Sequence, residues 1–195
     1  MTMKILIDNG HGVDTAGKRS PDGRLREYAY AREIALRLEK ALKARGYDAE
    51  RIVTEESDIP LSERVKRANR IYADTGKKAI LVSIHCNAAG ADGKWHDACG
   101  WGAYISQNAS KNSKALACCL IDAAGEKGLK VRRYSPDEPY WTQSLAICRD
   151  TNCPAVLTEN LFQDNKADVD YLLSEEGKSA ITALHVNGII KYIEQ

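Results

Sequence analysis

At 195 residues the chain is long enough to bury the core of one domain and need not be two. Its composition, 44% hydrophobic and 28% charged with a formal net charge of +1, argues against the broad basic face that nucleic acid or anionic membrane would want. No run of about 18 apolar residues occurs, so no helical membrane span is expected.

In chain order, the first strand is read at 3–8, Met-Lys-Ile-Leu-Ile-Asp, followed by a glycine-bearing loop to about residue 25. The stretch EYAYAREIALRLEKALKARGYD predicts a long amphipathic helix, with Ala31, Ile34, Ala35, Leu38 and Leu42 on one stripe and Gly46 as its stop. Residues 48–53 read as a short strand. SDIPLSERVKRANRIYADTG gives a second helix whose apolar face is Leu61, Val65, Ala68 and Ile71–Tyr72. AILVSIHC, residues 79–86, is a continuous apolar run of the kind found in strands buried on both faces.

Residues 88–98 look like loop, and GWGAYISQ returns to strand. SKALACCLIDAAGEKG predicts a third helix, and 130–144 a long surface loop of the sort that often carries function. Lys130, Arg132 and Arg133 within and beside it read as a solvated basic turn. LAICRD and PAVLTEN are taken as strands and 166–193 as two closing helices. Strands alternating with helices, without repeats or low-complexity linkers, predict one α/β layered domain across residues 1–195.

The six cysteines (Cys86, Cys99, Cys118, Cys119, Cys148, Cys153) match no CxxC or zinc-finger spacing. Most of the six read as small buried hydrophobes in a reducing compartment, with a Cys148–Cys153 disulfide left open. The N-terminus, MTMKILIDNG, shows neither the apolar core nor the cleavage site of a secretory signal.

Polar residues gather at the ends of the predicted buried strands. His11 follows the first strand between two glycines, His85 ends ILVSI, and Glu159 ends AVLT. Ligands of open α/β sheets bind at the carboxyl ends of strands, so all three can share one rim. Glu27 opens the first long helix just after the glycine loop. Two imidazoles and a carboxylate form the donor set of a catalytic zinc site, so His11, Glu27 and His85 are a candidate His₂Glu centre. Each also has a structural reading. His85 suits a core histidine bonded to a backbone carbonyl, Glu27 a carboxylate facing the helix dipole, and Glu159 a strand-end partner in a salt bridge. His96 and His185 read as structural.

The blocks ILIDNGHG, GRLRE, LSERVKRAN, VSIHCNA and PAVLTENLFQDN resemble, in order and spacing, the signatures of the zinc-dependent N-acetylmuramoyl-L-alanine amidases of bacterial wall hydrolases and phage lysins. The resemblance runs from about residue 4 to about 193. It implies a mixed, mostly parallel sheet of about six strands sandwiched between helices. It also implies His11, Glu27 and His85 as ligands of one Zn²⁺ and Glu159 as the catalytic glutamate.

The implied substrate is the amide between N-acetylmuramic acid and L-alanine in peptidoglycan, met as muropeptides. A silent wall-binding relative and a zinc hydrolase of another amide are the alternatives. The chain departs from the family pattern at Asn9, Glu55 and Lys127, none of them a ligand position. Asn87, Trp95, Trp101, Tyr140 and Trp141 are candidate substrate contacts, the aromatics for stacking on sugar or peptide. No nucleic-acid partner and no membrane span are expected; the oligomeric state is left open, with a monomer favoured. The setting is the cell wall, reached either by a phage or prophage lysin made without a signal or by an exported enzyme whose signal lies outside this sequence.

Overall fold

The computed structural model describes residues 3–195. Among these described residues six strands run in chain order: β1 Lys4–Asn9, β2 Asp48–Arg51, β3 Ala79–Asn87, β4 Gly102–Ile105, β5 Trp141–Thr142 and β6 Ala155–Phe162. The same residues form six helices: α1 Glu27–Lys43, α2 Leu61–Asp74, α3 Lys111–Glu126, α4 Ala146–Arg149, α5 Lys166–Leu173 and α6 Glu175–Ile193. The strands form one sheet in the order β2-β1-β3-β6-β4-β5. β2, β1, β3 and β6 are parallel neighbours, and β4 joins β6 antiparallel. The expected mixed, mostly parallel sheet between helices is what forms.

Side-chain alternation divides the interior in two. Ile5, Ile7, Ile80, Val82, Ile84 and Val156 face the larger core with the stripes of α1, α3 and α6, including Ile34, Leu38, Leu120 and Leu184. Leu6, Leu81, Ala155 and Leu157 face a smaller core with Ala68 of α2 and Ile147 of α4. Because helices cover both faces, β3 is apolar at consecutive positions rather than at alternate ones. Ser110, Asn165 and Ser174 cap α3, α5 and α6, each side chain accepting a backbone N–H three residues on. Among the described residues no helix is long and apolar enough to cross a membrane.

Two expected elements differ. LAICRD is not a strand: Ala146–Arg149 is a single helical turn, with Ile147 and Cys148 buried. An apolar run this short fits either geometry, and here Leu145 O accepts the N–H of both Cys148 and Arg149 and closes the turn. The 130–144 segment is not wholly loop, since Trp141–Thr142 pairs in parallel with Tyr104–Ile105. All six cysteines are free, and burial pushes the thiols of Cys148 and Cys153 up to about 12.

Close approach of α6 to α3 rests on Gly188, where a Cβ would sit 2.8 Å from Leu120 Cα and 3.0 Å from Cys119 O. Gly188→Leu should overpack this contact and cost about 1–3 kcal/mol. Thermal unfolding reads this as about 2–4 °C of Tm per kcal/mol. An unchanged Tm would show that the two helices have room to part.

Candidate metal centre

The chain leaves β1 through Gly10-His11-Gly12. His11 lies in the left-handed region, φ 61°, which a residue with a Cβ adopts at a cost. Neither flanking glycine can be replaced without displacement. A Cβ on Gly10 would land on the His85 imidazole, and one on Gly12 on the backbone of Ser57 and Asp58. The glycines therefore serve less as a flexible hinge than as room for two close approaches.

Arg64 of α2 holds this strained turn in place. It is 2% exposed and donates to Asp8 Oδ1 (2.9 Å), Asn9 O (2.6 Å), His11 O (3.2 Å), Asp58 Oδ1 (3.0 Å) and Ile59 O (2.7 Å). The other Asp8 oxygen accepts from Ser83 Oγ on β3 (2.5 Å). One guanidinium thus ties β1, the His11 turn and the loop before α2 together.

His85 sits near the end of β3, in parallel register with Glu159 on β6, so both project from the same face of the sheet. Just beyond them the register slips between His85 and Asn87, and Leu161 takes a left-handed φ of 62°. Asn160, fully buried, spans the irregularity. Its amide nitrogen donates to His85 O (2.9 Å), and its oxygen accepts from Trp101 Nε1 (2.8 Å).

Glu27, the first residue of α1, is 1% exposed. Its Oε1 lies 3.1 Å from His85 Nδ1 and 3.4 Å from His11 Nε2, and accepts the Cys86 N–H at 3.0 Å. Its Oε2 accepts from Gln163 Nε2 at 3.4 Å. Burial by itself would raise this carboxyl's pKa, but the hydrogen bonds from His11 and His85 hold it well below the ordinary carboxylate range. Burial works against the charged His85 ring, and the Glu27 carboxylate outweighs it, so the His85 pKa is raised. One donor atom from each of His11, Glu27 and His85 lies within 4.8 Å of the others, a group able to hold a metal ion.

The structural alternatives fare unequally, since Glu27 does lie in the first turn of α1, where its carboxylate faces the helix dipole. Glu27 points into the histidine cluster, and His85 pairs with a carboxylate rather than a backbone carbonyl. The carbonyl-bonded core histidine is His185, whose Nδ1 meets Ile181 O at 2.7 Å and whose pKa burial lowers to about 4. His96 lies in a loop beside Asp92, 2.9 Å away. Glu159 makes no ion pair, and its buried Oε2 has no partner among the described residues. Burial pushes this carboxyl up to about 7, with His85 opposing, Glu27 adding, and the charges of Lys18 and Arg132 also opposing.

The candidate substrate contacts divide. Asn87 ends β3, with Nδ2 3.5 Å from the Tyr104 hydroxyl, and Trp95 is exposed in its loop. Trp141 is half-buried and stacks on Tyr104, with centroids 6.2 Å apart. Trp101 and Tyr140 are corrections. Trp101 has no exposed surface and packs edge-on to His185, while Tyr140 is buried with Lys114 over its ring, so neither has a face for a ligand.

Arg64 and Gln163 complete the centre yet escaped the sequence reading. A signal existed for Arg64: it lies four residues from Ala68 and seven from Ile71, on the buried stripe of α2, where a charge requires a buried partner, whereas Leu61 of the expected apolar face is exposed.

Donors of this kind on the rim of a parallel sheet define a candidate metallohydrolase. A profile of the N-acetylmuramoyl-L-alanine amidases matches residues 5–191. The chain belongs to that family, hydrolases that act on peptidoglycan. Among curated relatives, the endolysin of Bacillus phage SPP1 is 28% identical over 99% of this chain and 67% of its own length. The amidase CwlM of Bacillus licheniformis is 31% identical over 97% of this chain and 68% of its own. The chain thus spans about two thirds of the length of these relatives.

Among solved structures, an N-acetylmuramoyl-L-alanine amidase from Clostridium difficile 630 superposes with a TM-score of 0.83 at 24% identity, covering 100% of this chain and 98% of its own. The catalytic domain of CwlV from Bacillus (Paenibacillus) polymyxa gives 0.81 at 24% identity over 99% of both chains. These two likenesses carry the fold.

Arg64→Met should leave Asp8 charged and unpaired inside the sheet, and denaturant unfolding should show a loss of about 3–5 kcal/mol. A loss below about 1 kcal/mol would mean that Asp8 finds water or another partner. A second expectation concerns pH. The folded chain binds the Glu159 proton more tightly than the unfolded chain does, so the stability this gives is present at low pH and lost as pH rises through about 7. In chelator, wild type should therefore lose more stability than Glu159→Gln between about pH 5 and about pH 8. Parallel losses would show that the carboxyl is already ionised in the folded protein.

Proposed function

We propose that residues 1–195 form a single catalytic domain of a zinc-dependent amidase. It hydrolyses the bond between the lactyl carbonyl of N-acetylmuramic acid and the amino group of L-alanine. The observation that carries the zinc reading is the approach of His11, Glu27 and His85 donors within 4.8 Å of one another, beside Glu159, whose buried Oε2 has no partner among the described residues. Nitrogen and carboxylate donors suit zinc, and three protein ligands are the number a catalytic zinc site takes. A zinc ion held there would supply Lewis acidity, activating water at neutral pH and polarising the scissile carbonyl.

Glu159 takes the proton from the attacking water and returns it to the departing nitrogen. A carboxyl whose pKa lies at about 7 is suited to both transfers near neutral pH. Arg64 and Asn160 act at one remove: the first fixes the His11 turn and the second the His85 carbonyl, so that both imidazoles stand ready. Gln163 satisfies the second oxygen of Glu27. Asn87, Trp95 and Trp141 remain as contacts for muropeptide, and the protein works as a monomer on the bacterial wall. The two settings are a phage or prophage lysin, like the phage SPP1 endolysin among the relatives, and an exported wall enzyme.

The test is mass spectrometry of peptidoglycan digests made by the untreated, the EDTA-treated and the zinc-restored protein. Stem peptides with a free L-alanine amino terminus should appear, vanish with EDTA and return with zinc. Glu159→Gln should still bind zinc while turnover falls by about 10²–10⁴-fold. Full activity in that variant would remove Glu159 from its role. Zinc binding without any cleavage by wild type would redirect the reading to a wall binder or a hydrolase of another amide.

A further inference from the structure

Arg132 precedes β5 and is placed with unusual care for a loop residue. Its guanidinium carbon lies 4.9 Å from the centroid of Phe162 and 5.3 Å from that of Trp141, so it is held by two aromatic rings. Its Nη1 is 3.4 Å from the Tyr104 hydroxyl, which also lies 3.5 Å from Asn87 Nδ2. Its backbone is clamped as well. Its N–H donates to Trp101 O at 2.7 Å and its carbonyl accepts from Trp141 Nε1 at 3.2 Å. Gly100, at φ 105°, leaves room for its stem, since a Cβ there would come within 3.2 Å of Arg132 Cγ.

These neighbours fix where the cation stands. Phe162 is three residues beyond Glu159 on β6 and pairs with Asn87, two residues beyond His85 on β3. Arg132 therefore lies over the same strand ends that carry the candidate centre. Among the described residues no carboxylate comes within ion-pair distance of it, although seven of the twelve other arginines have one. A rigid, partly buried guanidinium with an unused donor edge matches a carboxylate in bidentate geometry.

We propose that Arg132 is a specificity residue that grips a carboxylate of the substrate's stem peptide beside the scissile amide. The proposal rests on the amidase reading above. Substrate chemistry selects the peptide side: the lactyl carboxyl of muramic acid is consumed in the amide, so the free carboxylates of a muropeptide near that bond are those of its peptide. Trp141 and Tyr104, stacked beside the guanidinium, shield it from water on one side and keep its plane fixed.

The experiment uses two N-acetylmuramoyl peptides that differ only in a carboxylate or a carboxamide on the second peptide residue. Steady-state kinetics on the zinc-loaded protein should favour the acid by about 10- to 100-fold in kcat/KM, mainly through KM. Arg132→Gln should bring the acid-to-amide ratio towards one, and Arg132→Lys should restore part of it. A clamp that merely held the loop would lower both substrates together and leave the ratio unmoved.

A ratio near one in wild type, or an unchanged ratio in Arg132→Gln, overturns the proposal and leaves the amidase reading intact. Calorimetric titration with the two free stem peptides adds a readout that needs no turnover. If neither substrate is cut, Arg132-dependent preference for the acidic peptide upholds the carboxylate grip while the amidase reading falls, and equal binding of the two peptides ends both.

Discussion

A carboxylate taken out of water at the start of α1 is the constraint around which the molecule is arranged. An isolated buried charge is prohibitively costly, so Glu27 must be met from several directions at once. It is met by an imidazole from the turn after β1, by an imidazole and a backbone N–H from β3, and by an amide from the segment after β6. Three strand ends and one helix start therefore share a single point. The same crowding that satisfies Glu27 brings together the donors that can hold a metal ion.

Holding those strand ends in place falls to groups that touch no reacting atom. The His11 turn stores backbone strain, and Arg64 offsets it with hydrogen bonds to the carbonyls on either side of Gly10 and to Asp8 and Asp58. On the opposite flank, the slip in register after His85 and the left-handed Leu161 re-aim the end of β6. Asn160 and Trp101 close the gap that results. Irregularities of this kind beside a site are positioning devices, since a regular ladder would aim the strand ends differently.

Glu159 has the opposite environment to Glu27, though it lies one strand away in register with His85. Burial outweighs the charges of His85, Lys18 and Arg132 and pushes the Glu159 carboxyl up to about 7, whereas Glu27 stays ionised. Two carboxyls with diverging affinities for protons within one site suit the roles proposed for them, one holding charge and one moving protons. The aromatic wall of Tyr104, Trp141 and Phe162 with Arg132 continues this rim away from the histidines and gives it a charged end.

The sequence by itself determined the layered α/β fold and the residues of the central cluster. Hydrophobic periodicity is local: the stripe of α1 and the continuous apolar run of β3 state their geometry within a few turns or residues. The order of the blocks around His11, Glu27, His85 and Glu159 carried the family. Tertiary structure alone decided the rest. LAIC is too short for its period to be read, and the pairing partner of Trp141–Thr142 lies 37 residues away. Trp101 and Trp141 look alike in sequence, yet one fills the core and the other flanks the rim, because burial depends on which elements close over a side chain. Arg64 and Arg132 read as ordinary surface charges until the distant partners of the first, and the two aromatic rings around the second, are placed in space.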